Sequence, residues 1–338
     1  LRQLDQQRRA LLKDGFDVRV YGLADSKRFV LSSGALDLRR WPEELRQSTK
    51  PMNPADLAEE IAALELTNVA LVDCTASAEL VNAYPKFVEA NMHIITPNKR
   101  ANVLPWKQYR ALMELLERRQ KRFLYGTNVG AGLPVISTLR DLLASGDTIL
   151  KIEGIVSGTL SYLFNSYNGT RPFSAFLREA HRLGFTEPDP RDDLTGEDVA
   201  RKLLILAREL GLKMDLKDVK HENLVPAPLR RGGFTKDFFA RIAKYDPAIQ
   251  RRLERARLRG AVLRYVASLE GTVARAGLRE VPQNHPFAST KGGDNIITFT
   301  TRRYSKTPLV VQGPGAGADV TAMGVFSDIL KLLHALPY

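Results

Sequence analysis

Three short apolar runs, at residues 69–72, 93–95 and 123–125, are separated by segments whose apolar residues recur at helical spacing. That alternation restricts the amino-terminal part of the chain to parallel strands joined by crossover helices. An opening helix, a strand at 18–23 and a helix over 55–64 precede the first run, and helices over 78–90 and 109–117 join the three. The run 69–72 is continuous enough for a strand buried on both faces. Each run ends in a polar or glycine-containing loop: Asp73, Cys74 and Thr75, then Thr96, Pro97, Asn98 and Lys99, then residues 127–132. Ligands of a doubly wound sheet bind beyond the carboxyl ends of its strands, so one site is expected to gather the three loops.

From residue 146 the pattern changes. A strand at 149–156 runs through Ser157, Gly158 and Thr159 into a helix, and further helices are expected at 173–183, 237–244 and 248–259. Alternating runs at 261–269, 273–281 and 295–301 read as antiparallel strands, which makes this part α+β. Residues 309–333 then return to the first style, with a short buried strand, a loop holding Gly313, Gly315 and Gly317, and a helix opened near Asp319. Such a turn lets a ligand approach the backbone and meet the amides of a helix N-terminus. The fold class is therefore α/β. A Rossmann-like doubly wound parallel sheet over 1–145 and 305–338 carries an inserted α+β domain over 146–304, a division that 338 residues can support. The usual opening of such a sheet, strand then G-x-G-x-x-G, is not found, because Gly15, Gly22 and Gly34 lie too far apart. The expectation is that the first strand and its loop lie upstream of Leu1.

Composition excludes several classes. No apolar run approaches the ~20 residues of a membrane span, and Cys74 is the only cysteine, which points to a reducing compartment. The opening residues read as an amphipathic helix rather than a secretory signal. A cytoplasmic location follows, or a plastid if a transit peptide lies upstream. The net charge of +12 raises the question of nucleic acid. Its densest run, Arg251, Arg252, Arg255, Arg257 and Arg259, includes Glu254 and no aromatic residue, so it reads as a solvated helix face and no nucleic-acid partner is expected. The five histidines show no metal-ligand spacing.

Residues 184–204, GFTEPDPRDDLTGEDVARKLL, concentrate six carboxylates at a loop-to-helix junction. Val199, Leu203, Leu206, Ala207 and Leu210 form a helical stripe, and at about 100° per residue Asp198 and Lys202 fall along its edge. Spacing leaves two readings open. Thr195 with Asp198 has the form of a capping box, and Asp198 with Lys202 that of a surface pair; alternatively the acid and the ammonium line a polar pocket. Arg191 is equally open, as a group for a substrate carboxylate or a partner of Asp192.

The run TEPDPRDDLTGEDVARKL, free of gaps, resembles the signature of homoserine dehydrogenases of the type fused behind an aspartate kinase. The strand end TPNK, the turn VGAGL and the closing GPGAG segment are similar to that family too. The resemblance implies reversible reduction of L-aspartate 4-semialdehyde to L-homoserine, in threonine and methionine biosynthesis. At the end of the second expected strand Ser26, Lys27 and Arg28 crowd the single acid Asp25, which favours NADP(H) with NAD(H) also usable. The resemblance places Lys99 at the reacting carbonyl and makes Lys202 the other candidate proton donor. Glu187 and Asp198 hold the substrate's amino and hydroxyl ends, Asp192 and Asp193 add negative field, and Gly158 and Thr159 complete the substrate site. Cofactor contacts fall to Asp25, Ser26, Lys27, Asp73, Cys74, Thr75, Thr96, Pro97, Asn98, Asn128, Gly130, Gly315, Ala316 and Gly317. Backbone carbonyls of Val129, Ala131 and Leu133 would bind Na+ or K+, although Gly126 stands where many relatives carry an acid. A homodimer built on the second domain's sheet and an upstream aspartate kinase module complete the implied assembly. Two rivals remain: another Rossmann-type semialdehyde dehydrogenase, which in its phosphorylating form needs a thiolate, and a cofactor-impaired binding module.

Overall fold

The computed structural model describes residues 1–235 and 237–336, which divide into two compact units. The first holds Leu1–Tyr125 together with the stretch from Thr321 onward, and the second Gly126–Val320. In the first unit, α1 (Arg2–Lys13), β1 (Gly22–Ala24), β2 (Phe29–Leu31), α2 (Trp41–Gln47) and α3 (Pro54–Ala62) lead to β3 (Ala70–Val72). Then come α4 (Ala78–Asn82), α5 (Tyr84–Glu89), β4 (His93–Ile95), α6 (Trp106–Arg118) and β5 (Phe123–Leu124). Strands β3, β4 and β5 pair in parallel in that order, as expected of a Rossmann-like sheet. Successive strand residues point to opposite faces, and β4 uses both. Ile94 packs in the cluster of Leu57, Tyr84, Phe87, Leu112 and Leu116, while Ile95 packs with Val325 and Leu332 of the returning carboxyl-terminal helix. That helix also meets Leu4 and Leu11 of α1 through Phe326 and Leu330.

Several elements differ from their sequence reading. Residues 18–23 do not join the parallel sheet; β1 pairs antiparallel with β2 in a separate hairpin. The expected helix over 78–90 is two helices meeting at Ala83, with Pro85 in the first turn of α5, where a missing N–H costs nothing. Strand β3 is half-buried and its Val72 exposed, because it pairs with β4 alone among the described residues.

The second unit contains α7 (Val135–Ala144), β6 (Ile149–Ile155), α8 (Gly158–Ser166), α9 (Phe173–Arg182), α10 (Pro190–Leu194), α11 (Glu197–Glu209) and β7 (Lys220–His221). It continues with α12 (Phe238–Ile242), α13 (Asp246–Leu258), β8 (Ala261–Glu270), β9 (Val273–Pro282), β10 (Asp294–Thr301) and β11 (Leu309–Pro314); α14 (Ala318–Ala335) then crosses into the first unit. Its sheet runs β11-β10-β6-β8-β9-β7, antiparallel except for the β7–β9 pair. The contacts thus divide the chain before the expected residue 145 and after 305. β11 pairs with β10 and its residues are half-buried or exposed, so it is an edge strand of this sheet and not a buried strand of the parallel one. Three arginines of the basic run are spent on structure: Arg255 in α13 and Arg259 at its C-cap lie 2.6 and 3.0 Å from Glu280, and Arg252 bonds Glu222. No helix among the described residues is long and apolar enough to cross a membrane.

One residue decides how the acidic stretch becomes helical. Gly196, with φ +73°, separates α10 from α11, and a Cβ there would overlap the Tyr265 hydroxyl. That hydroxyl donates to the Glu222 carbonyl at 2.6 Å. Gly196→Ala is expected to lower stability by about 2–4 kcal/mol, a left-handed residue plus a displaced hydrogen bond. Chemical denaturation checks this, and an unchanged midpoint contradicts the close approach.

Candidate active site

In the second unit the acidic stretch folds back on the turn that links β6 to α8. Ser157 caps α8 by accepting the Leu160 N–H at 3.2 Å. Next to it the Thr159 hydroxyl lies 2.7 Å from both Asp193 Oδ1 and the Phe185 carbonyl, and the Glu187 N–H donates to Asp193 Oδ2 at 2.8 Å. Desolvation raises the Asp193 pKa against the pull of these bonds. The hydroxyl has one proton to give, so it donates to one of these two oxygens at a time. On α11, Lys202 is 8% exposed; its Nζ donates to the Val156 carbonyl at 2.6 Å and pairs with Asp198 Oδ2 at 2.8 Å. Lys202 and Asp193 are therefore both anchored on residues 156–159. Gly158 opens α8 in the same turn, while Glu187 and Asp192 are exposed.

Two sequence readings resolve here. The N-cap of α11 is Gly196, so Thr195 and Asp198 do not form a capping box, and the Thr195 hydroxyl accepts the Glu197 N–H at 3.2 Å. Thr195 also donates to the Asp192 carbonyl at 2.8 Å. Arg191 does not pair with Asp192. It bonds Asp189 with Nε and Nη2 and reaches the Gly232 carbonyl with Nη1 at 2.9 Å, a clamp between α10 and the 229–232 segment.

In the first unit the strand-end loops are held by a buried carboxylate. Asp73, 1% exposed, accepts from the Tyr84 hydroxyl (2.6 Å), Asn98 Nδ2 (3.1 Å) and the Thr75 N–H (2.8 Å). Thr96 donates to the Asp73 carbonyl at 2.8 Å and accepts the Asn98 N–H at 2.9 Å. The side chains of Asp73, Thr96 and Asn98 thus turn inward and shape the loops after β3 and β4. Burial first, then the Asp73 charge, push the Tyr84 hydroxyl far up, so it stays a donor. Tyr84 was not singled out in the sequence, where an aromatic residue on an apolar helix reads as core. Half-buried Pro97 and Lys99 follow, and the Lys99 carbonyl accepts the Asn102 N–H at 3.0 Å. Cys74 is exposed, yet local desolvation and then Asp73 raise its thiol pKa, the opposite of what a thiolate nucleophile needs. In the β1–β2 hairpin, Asp25 Oδ1 accepts the N–H groups of Lys27 (2.7 Å) and Arg28 (2.9 Å), which lower its pKa. Arg28 Nη1 donates to the Arg46 carbonyl at 2.6 Å, and Ser26 and Lys27 are exposed.

Two glycine turns remain, both within the second unit as far as Val320. Asn128 and Val129 are buried ahead of Gly130 (φ +83°) and Ala131 (φ +53°), and the Leu133 carbonyl accepts the Val135 N–H at 2.8 Å. The Gly313–Gly317 loop joins β11 to α14, with Gly315 against the side chain of Asn295. Asn295 was not singled out in the sequence either.

A family model described as homoserine dehydrogenase matches residues 134–330, and one described as homoserine dehydrogenase, NAD binding domain, matches residues 1–126. The chain is 46% identical over 343 residues to the chloroplastic bifunctional aspartokinase/homoserine dehydrogenase 1 of Arabidopsis thaliana, covering 98% of this chain and 37% of that protein. It is 38% identical to a crystallised Candida auris protein, at a TM-score of 0.87 and covering 94% and 90% of the two chains. A hyperthermophilic archaeal homoserine dehydrogenase solved in complex with NADPH shares the fold at 21% identity and a TM-score of 0.74, covering 99% and 93%. The chain spans well under half the length of the curated bifunctional relatives it matches. With both family models aligned in order along it, the chain belongs to the homoserine dehydrogenase family, a family of NAD(P)-dependent oxidoreductases.

Proposed function

We propose that the chain catalyses the reversible NAD(P)H-dependent reduction of L-aspartate 4-semialdehyde to L-homoserine. The observation that carries this reading is the anchoring of Lys202 and Asp193 on the single turn 156–159, an ammonium and a desolvated carboxyl fixed by backbone and hydroxyl groups. A nicotinamide cofactor supplies the hydride to the aldehyde carbon. As the C=O π bond opens, its oxygen needs one proton. Lys202, held by Val156 and Asp198, has a third N–H to lend it; Lys99, in the loop after β4, is the other candidate proton donor. Glu187, Asp192, Asp193 and Asp198 offer the negative field that the substrate's α-ammonium requires, with Gly158 and Thr159 at its edge.

The strand-end segments 73–75 and 96–98, the turn at Asn128 and Gly130, and the loop at Gly315, Ala316 and Gly317 are assigned to the cofactor. In the β1–β2 hairpin, Asp25 is committed to its own turn and Arg28 to a carbonyl, which leaves Lys27 as the base for a 2′-phosphate and favours NADPH, with NADH also usable. The carbonyls of Val129, Ala131 and Leu133 are uncharged donors, a set that fits Na+ or K+ rather than a divalent ion. Such an ion would brace the turn before α7. A nucleotide-binding role for 1–145 with 305–338, and a substrate and dimerisation role for 146–304, belong to the same reading. Val273 and Val310, 48% and 42% exposed, share one face of the second unit's sheet by strand register, which supports a homodimer through that face. An aspartate kinase module upstream and a cytoplasmic or plastid location accord with the bifunctional relatives.

NADPH oxidation on adding aspartate semialdehyde without phosphate, in the full-length natural protein, tests the reaction. In that assay Lys99→Ala and Lys202→Ala are each expected to lower turnover by ~100-fold while the fold persists. Near-normal turnover in either removes that lysine from the mechanism. Asp198→Asn retains size and leaves the cap of α11 untouched, so melting should be unchanged while kcat/KM falls at least about tenfold; parallel melting curves and kinetics check both halves. Lys27→Ala should reduce the preference for NADPH over NADH by about tenfold, the worth of one charge-assisted hydrogen bond. The ratio of kcat/KM values for the two cofactors reads this directly, and an unchanged ratio contradicts it.

A further inference from the structure

Near the start of β10, Asn295 lies opposite Gly313 of β11. Its side chain is wholly buried, and neither the nitrogen nor the oxygen of the carboxamide hydrogen-bonds any described residue. A carboxamide brings two N–H donors and an acceptor, and native interiors leave few such groups unpaired. An apolar side chain would occupy this space without that cost. Packing alone therefore does not account for an amide here.

What lies against it is the glycine loop. A Cβ on Gly315 would overlap the carbon, nitrogen and oxygen of the Asn295 carboxamide. Gly315 is outside the left-handed region, so its lack of a side chain answers to Asn295 and not to backbone strain. On the other flank, a Cβ on Gly158 would sit 3.8 Å from the Ala316 methyl and 3.8 Å from the Gly293 carbonyl. The head of α8, the start of β10 and the loop thus close on one another inside the second unit. Glycines at 313, 315 and 317 leave this main chain without side chains, and its amides and carbonyls are groups that can pair with a carboxamide.

We infer that Asn295 is a positioning residue for this loop: its carboxamide, stowed unpaired beneath Gly315, hydrogen-bonds the main chain of residues 314–316 when the loop settles on the nicotinamide cofactor. The inference rests on the assignment of Gly315, Ala316 and Gly317 to cofactor binding. Its direction follows from linkage, since pairing gained only in the cofactor-bound arrangement tightens binding.

NADPH titration by fluorescence and thermal melting of the full-length natural protein test it, on wild type, Asn295→Ala, Gly315→Ala and the double variant. Asn295→Ala should weaken NADPH binding about tenfold, one net hydrogen bond's worth. Gly315→Ala displaces the amide and should lower both Tm and affinity. Alanine at 295 makes room for the new methyl, so the double variant should recover the Tm lost in Gly315→Ala while NADPH binding stays weak. Recovery of both overturns the inference, because the pair is then packing alone. If Asn295→Ala melts too early to titrate, Asn295→Leu retains the size and loses both donors and the acceptor, and wild-type affinity in that variant overturns the inference equally. Unaffected binding by Asn295→Ala beside normal wild-type binding overturns the inference alone. A wild-type protein that binds no NADPH overturns the cofactor assignment first and the inference with it.

Discussion

A carboxylate taken out of water must be given hydrogen bonds or it destabilises whatever surrounds it. Asp73 meets that demand with partners from α5, the loop after β4 and its own loop, and the geometry of the first unit's strand ends follows from it. Hydrogen bonds to a charged group contribute about 1.5–3 kcal/mol each, enough to hold loops that carry little apolar surface. Tyr84 is both a wholly buried core residue and the donor, so the packing under β4 and the shape of the loops above it are one problem.

The second unit solves a parallel problem differently. Its acids are dispersed along a short helix and the head of a longer one, and Gly196 supplies the break between them. Asp189 is committed to Arg191, Asp193 to Thr159 and the Glu187 amide, and Asp198 to Lys202. Asp192 and Glu187 remain exposed. A cluster that looks uniform in composition is therefore divided into carboxylates that build the stretch and carboxylates that face solvent, and only the latter are fully available to a cationic ligand.

The positive charge of the chain divides in the same way. Arg252, Arg255 and Arg259 hold α13 to Glu222 and Glu280, and Arg264 spends its guanidinium on the carbonyls of Phe164, Phe287 and Ala288. Cations bonded to carbonyls and carboxylates are poor phosphate binders. The excess of basic residues thus says less about partners than the exposed Lys27 at a hairpin turn does.

The sequence by itself determined the parallel strands β3, β4 and β5, the passage from β6 through residues 157–159 into α8, the antiparallel strands β8 and β9 and the buried stripe of α11, because each depends on periodicity or turn chemistry within a dozen or so residues. It also carried the family, through an uninterrupted motif. Tertiary structure alone decided that Asp198 pairs with Lys202 and that the N-cap of its helix is Gly196, that Arg191 clamps Asp189 and a distant carbonyl, that Tyr84 serves Asp73, and that β11 pairs with β10. Local spacing can say that a polar side chain lies near a helix edge. It cannot say which carbonyl or carboxylate the fold brings within 3 Å, and for Lys202 and Val156, 46 residues apart, that distance is what turns an expected surface pair into a buried anchor.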